Sequence, residues 1–165
     1  MNYRLYSFVN FYLSSIQQGV QTAHLVSELF AETTDKKKLK VLKDWAKNDK
    51  TIIILNGGAN ADILETFDKL TLINDTLSWS APIGRFKEDK DSLGGLTTCC
   101  GIVVPESVWG AVDYRTAIRE EYFLTEDSYP IDGFFFQTRS SVTTYNVGTA
   151  EHDLITVIKS CGLAR

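Results

Sequence analysis

Gln17, Gln21, His24 and Glu28 recur at steps of four, three and four within SSIQQGVQTAHLVSEL, residues 14–29. That spacing stacks their side chains along one stripe of a helix. A carboxamide offers a donor and an acceptor together, which suits a base edge or a ribose hydroxyl. The stripe follows an apolar run, Tyr3 to Tyr12, that reads as a buried strand. It therefore starts at the C-terminal end of a strand, where open α/β sheets bind ligands. Ser15 is the expected N-cap of this helix, with Gln18 three residues on to complete a capping box. Ile16, Val20, Ala23, Ser27 and Phe30, at steps of three and four, form the face expected against a sheet.

The elements that must position these residues can be read in order. Tyr3 to Tyr12 is a central strand and Ser15 to Glu32 the helix. Asp35 caps a second, basic helix marked by Leu39, Leu42 and Ala46, with Trp45 packed against the sheet or a neighbour. Lys50 to Leu55 is a β-branched strand, Asn56-Gly57-Gly58 a turn, and Asn60 the cap of a third helix that buries Ile63, Leu64, Phe67 and Leu70. Leu77 to Phe86 contains Pro82 and so belongs at an edge. Lys87 to Leu93 is a charged loop, and Leu96 to Val104 a buried strand with a helix opening at Pro105-Glu106. Helix is expected over Trp109 to Glu121 and loop over Leu124 to Asp132. Phe134 onward pairs with Val142 to Val147, and Thr149 caps a last helix buried through Leu154, Ile155, Val157 and Ile158. The alternation gives a three-layer α/β sandwich around a mixed sheet of about four to five strands, the first and fourth interior.

Bulk properties narrow the function classes. The 165 residues suit a single domain, and a net charge of −4 argues against a broad nonspecific grip on nucleic acid. Lys36, Lys37, Lys38, Lys40 and Lys43 form the one dense basic cluster, which reads as a solvated helix face. Cys99, Cys100 and Cys161 show no metal-ligand spacing, so reduced, buried thiols are expected, with no metal and no cofactor. No run approaches the roughly 20 apolar residues that span a bilayer. No signal peptide is evident at the start of the sequence, so a cytoplasmic location without membrane contact is expected.

The order of motifs resembles the archaeal and eukaryotic, type 2 peptidyl-tRNA hydrolase family. A strand is followed by a capped helix bearing Gln21-x-x-His24, then by Trp45 before the Lys50-led strand. An acidic loop with Glu88 and Asp89 comes next, then a Gly-rich entry into Thr97, Thr98 and Gly101 to Pro105. The resemblance covers about residues 1–110, the core, and leaves residues 111–165 as a C-terminal extension of hairpin and helix. It implies a cleft by the first helix, with the 3′ end of tRNA as a partner. In that family a lysine four residues before the glutamine is associated with catalysis; here the position is Gln17, and EDKDSLGG replaces an Asp-Ala-Gly loop.

Three functions follow as expectations. The first is a binding protein that holds a nucleotide-like small molecule with Gln17, Gln21, His24, Glu88, Asp89, Thr97 and Thr98, aided by stacking from Tyr6, Trp79, Trp109 or Tyr145. By analogy with small phage proteins of similar fold, it would sequester a nucleotide signal of host defence. The second is an esterase on peptidyl-tRNA, with Asp89 as base or orienter, Thr98 as polarising group, His24 as support, and Lys87 or Lys90 replacing the missing charge. The third is an interaction module whose C-terminal segment FFFQTRSSVTTYNV forms an edge hairpin and pairs chains into a homo-oligomer.

Overall fold

The computed structural model describes residues 2–113, 134–137, 142–145 and 149–164. Four strands make the central sheet, in the order β2 (Thr51–Asn56), β1 (Tyr3–Val9), β4 (Thr97–Pro105), β3 (Ile83–Lys87). β1 and β2 are parallel, and β4 runs antiparallel to both of its neighbours, so the sheet is mixed as expected. The interior strands are the two with the most continuous apolar sequence: β4 is buried throughout and β1 from Leu5 onward. A strand covered on both faces leaves no side for solvated residues.

The edges follow from local chemistry. Pro82 lies just before β3, and its carbonyl accepts from the Val103 N–H at 2.9 Å. With no N–H to donate, the proline suits an edge. On the far edge, β2 is met by the C-terminal tail: the Asn56 N–H donates to Gly162 at 2.8 Å and the Ala164 N–H to Ile54 at 3.1 Å. The tail thus satisfies backbone groups that an open edge would leave to a second chain.

Helices cover both faces. α1 (Ser15–Glu32) and α2 (Lys36–Asp44) enclose Leu5, Val9, Leu25, Leu29, Leu42, Cys99 and Val103. α3 (Asn60–Thr76), α5 (Glu106–Asp113) and α6 (Thr149–Ser160) enclose Tyr6, Phe8, Ile63, Leu70, Cys100, Ile102, Val108, Leu154 and Ile158 on the other face. The adjacent cysteines point to opposite layers, as alternation along a strand requires. Asp35 caps α2, its Oδ1 accepting from the Lys37 and Lys38 N–H groups at 2.9 Å. α2 runs into a π-helical turn, Trp45–Asp49, whose buried Trp45 Nε1 donates to the Thr51 carbonyl at 3.0 Å. A short antiparallel hairpin, β5 (Phe134–Gln137) and β6 (Val142–Tyr145), stands apart from the main sheet.

Several expected boundaries shift. β1 stops at Val9 rather than Tyr12, and a one-turn helix, α4 (Lys90–Leu93), interrupts the charged loop. β4 runs through Pro105, so α5 opens at Glu106. Ser14, not Ser15, caps α1: its N–H donates to Gln17 Oε1 at 3.0 Å, and its Oγ accepts from the Gln17 N–H at 3.4 Å. The cap of α3 is Ala59 rather than Asn60, with its N–H held by Asp62 Oδ2 at 2.8 Å. The helix expected beyond Asp113 and the loop expected at 124–132 lie outside the described residues.

The larger correction concerns α1. The face expected against the sheet is turned away from it: Ile16 is 82% exposed and Val20 48%, and Ala23, Ser27 and Phe30 are exposed as well. The buried stripe is Gln18, Gln21, Thr22, Leu25 and Leu29. The reason lies in the surface beneath. Ser7, Gly101 and Gly84 are register partners and form a row of small residues across three strands. A Cβ on Gly101 would lie 2.6 Å from the Tyr6 carbonyl oxygen and 2.7 Å from Leu25 Cδ2; one on Gly84 would lie 2.9 Å from Leu29 Cδ2. The row lets α1 approach closely and seats its two leucines. Turning Ile16 and Val20 inward would gain about 1.5–3 kcal/mol each. It would orphan the Ser7 and Thr98 hydroxyls at about 1–3 kcal/mol apiece, and it would unseat Leu25 and Leu29.

Gly101→Ala is therefore expected to lose stability at or above the top of the usual range for overpacking, about 1–3 kcal/mol. Denaturant unfolding checks this. A loss within error would mean that α1 sits farther from the sheet.

Candidate functional site

β1, β2 and β3 share one direction, so their carboxyl ends lie along one edge of the sheet, where β4 begins and α1 and α3 depart. The buried stripe of α1 delivers Gln21 to this edge. Its Nε2 donates to Glu88 Oε1 at 2.7 Å, and the Thr98 hydroxyl donates to its Oε1 at 2.9 Å. Gln21 and Thr98 are buried and Glu88 is half-buried. A carboxamide clamped between a donor and a carboxylate has a single satisfied orientation. Beside it, the Cys99 thiol lies 3.2 Å from the Gln21 carbonyl, Ser7 and Thr22 share a hydrogen bond of 2.9 Å, and Gln18 Nε2 donates to the Leu13 carbonyl at 3.1 Å.

The residues singled out in the sequence divide. Gln21, Glu88 and Thr98 meet in one triad. Gln17 is exposed and its side chain closes the capping box with Ser14. His24 is exposed and stacks on Phe86, ring centroids 4.5 Å apart and planes 11° from parallel. Asp89 is exposed at the start of α4, its main-chain carbonyl accepting from Ser92 at 3.1 Å and Gly95 at 3.2 Å. Thr97 lines a groove on the α3 side of β4 rather than the triad. The aromatic residues expected to stack on a ligand are committed elsewhere. Tyr6 is core, Trp79 Nε1 donates to Glu151 at 3.3 Å, and Trp109 lies under the Arg4 guanidinium at 3.8 Å. The Tyr145 side chain falls outside the description. The flat surface one turn along from Gln21 is the His24–Phe86 stack.

Ser7 and Thr22 were missed in the sequence. A lone serine inside an apolar strand, answered by a threonine four residues after Gln18, was the available signal.

Glu88 is the chemically open member of the triad. Gln21 occupies one of its oxygens, and among the described residues no lysine or arginine lies within ion-pair distance of it. Its second oxygen can accept from an N–H or O–H of a ligand. The thiols are poor nucleophiles, since burial pushes Cys99 up to about 12 and raises Cys100 as well. Among the described residues no cluster of His, Cys, Asp or Glu is arranged to hold a metal ion, and no helix is long and apolar enough to cross a membrane.

No protein-family model matches this chain, and no curated protein matches it closely enough to count as a relative.

Two outcomes test the triad and its surroundings. Thr98→Val leaves a buried Gln21 oxygen without a donor and should cost about 1–3 kcal/mol, whereas Glu88→Gln keeps an acceptor for Gln21 and should cost under about 1 kcal/mol. Equal losses in denaturant unfolding would contradict the arrangement. The second outcome concerns alkali. Burial raises Tyr6 from 10.0 to about 12 and Cys99 from 9.0 to about 12, so the folded chain keeps protons that the unfolded chain releases. Stability is then present in full below about pH 9 and falls as pH climbs toward 12. Unfolding midpoints flat across that window would rule it out.

Proposed function

We propose that this chain is a binding protein that holds a nucleotide-like ligand at the Gln21–Glu88–Thr98 triad, in a fold resembling that of the type 2 peptidyl-tRNA hydrolases. The observation that carries the reading is Glu88. Its carboxylate is fixed by Gln21 at 2.7 Å, open on its other oxygen, and unaccompanied by a cation among the described residues. Such a group accepts from the amino or imino edge of a base or from ribose hydroxyls. The adjoining His24–Phe86 stack offers a flat surface for a ring.

Ester cleavage needs positive charge or aligned donors at a developing oxyanion. Gln17, at the position of the family lysine, brings no charge and is engaged with Ser14. Lys87 lines the groove on the other side of β4. Holding a ligand without cleaving it suits sequestration of a nucleotide signal, the counter-defence role expected by analogy.

Calorimetric titration with mono- and cyclic nucleotides, beside a hydrolysis assay on N-acetyl-aminoacyl-tRNA, tests the reading. Wild type should bind a nucleotide and leave the ester intact. Glu88→Gln should bind about tenfold or more weakly, the scale of one charge-assisted hydrogen bond. Wild-type ester turnover that disappears in Asp89→Ala would establish the hydrolase instead. Absence of both binding and turnover would sink the proposal.

A further inference from the structure

The groove on the α3 side of the same sheet edge, of about 190 Å³, is lined by Asn60, Leu64, Arg85, Lys87, Leu96 and Thr97 together with Gly95. Its walls carry two cations and no carboxylate. Among the described residues neither Arg85 nor Lys87 forms an ion pair. Arg85 is placed by the Phe67 ring, its guanidinium carbon 4.9 Å from the ring centroid. Lys87 is placed by Gly95, where a Cβ would come within 3.3 Å of the lysine Cε and where φ is +75°. Two exposed cations held toward one groove with no counter-charge leave a site for an anion.

Two polar side chains at the groove reinforce this. Thr97 is 5% exposed, and its hydroxyl makes no hydrogen bond among the described residues. Asn60 Oδ1 is buried without a donor. An unsatisfied buried atom such as Asn60 Oδ1 costs about 1–3 kcal/mol unless a partner arrives from outside the chain, and the Thr97 hydroxyl has a free donor to offer the same partner. Asn60 is also the first residue of the 17-residue α3, whose N-terminal end carries partial positive charge.

We infer that this groove binds a phosphate monoester of a small hydroxylated molecule. Arg85 and Lys87 neutralise the phosphate dianion, and the Thr97 hydroxyl donates to one of its oxygens. Asn60 Oδ1 accepts from a hydroxyl on the carrier. Leu64 and Leu96 provide apolar walls that fit a short carbon chain. The site is separate from the Gln21 triad, which lies across β4, and does not depend on how that triad is used.

Nuclear magnetic resonance titration of ¹⁵N-labelled full chain at fixed ionic strength is the test, with inorganic phosphate and glycerol 3-phosphate as probes. Saturable shifts are expected at the amides of Lys87, Gly95 and Thr97, with the ester binding more tightly than the free ion. Arg85→Gln with Lys87→Gln should weaken both probes about tenfold or more. Thr97→Val, which preserves shape, should weaken both several-fold. Asn60→Ala should remove the advantage of the ester alone. Shifts that never saturate, or that persist unchanged in the double charge variant, would overturn the site. Equal affinity of wild type for the two probes would overturn the part given to Asn60.

Discussion

Everything at the candidate site rests on how closely α1 lies against three strands. Ser7, Gly101 and Gly84 form a row without bulk, and on it sit Thr22, Leu25 and Leu29. The row sets the rotation of the helix about its axis. That rotation decides which of two competing stripes goes inward. Once Leu25 and Leu29 occupy the spaces above the glycines, a helix with 3.6 residues per turn must carry Gln18, Gln21 and Thr22 inward one and two turns earlier. Gln21 then reaches Thr98 and Glu88, which together satisfy its carboxamide oxygen and nitrogen.

Most of the architecture was legible in the chain. Uniformly apolar runs marked β1 and β4 as interior, Pro82 marked β3 as an edge, and β-branched Ile52, Ile53 and Ile54 marked β2. Helix bounds were legible where a side chain caps, as at Asp35. They shifted by one residue where adjacent serines, or Ala59 beside Asn60, offered alternative caps. The face of α1 was not legible. Its sequence offers one largely apolar stripe, through Ile16, Val20 and Phe30, and one mixed stripe, through Gln18, Gln21, Thr22, Leu25 and Leu29, and burial energy alone favours the first. What reverses the choice is the pattern of small and hydroxyl residues on strands up to about 80 positions away, which periodicity within a helix cannot see.

The same division applies to the site. Gln21 was nameable in advance from its stripe at the end of a strand, and Glu88 and Thr98 from the order of motifs along the chain. The groove on the other face was not, because Arg85 and Asn60 are ordinary edge and cap residues in sequence and Lys87 stood out there only as a substitute charge for the esterase. They become notable only when the start of β4 brings Thr97 beside them. Adjacent threonines on β4 therefore serve opposite faces of one edge, Thr98 in the triad and Thr97 in the cationic groove. The carboxyl end of this sheet is lined on both sides by groups suited to a polar ligand.

The central claim, that α1 docks through Gln18, Gln21, Thr22, Leu25 and Leu29 rather than through Ile16 and Val20, can be tested most directly by cysteine labelling along the helix. In a Cys161→Ser background, Ile16→Cys and Thr22→Cys would each be exposed to a maleimide under native conditions, with the folded state of both verified. Rapid labelling at position 16, with labelling at position 22 only after unfolding, is the result required by an 82% exposed Ile16 and a 2% exposed Thr22. Fast labelling at position 22 with protection at 16 would put the apolar stripe inward and dissolve the triad.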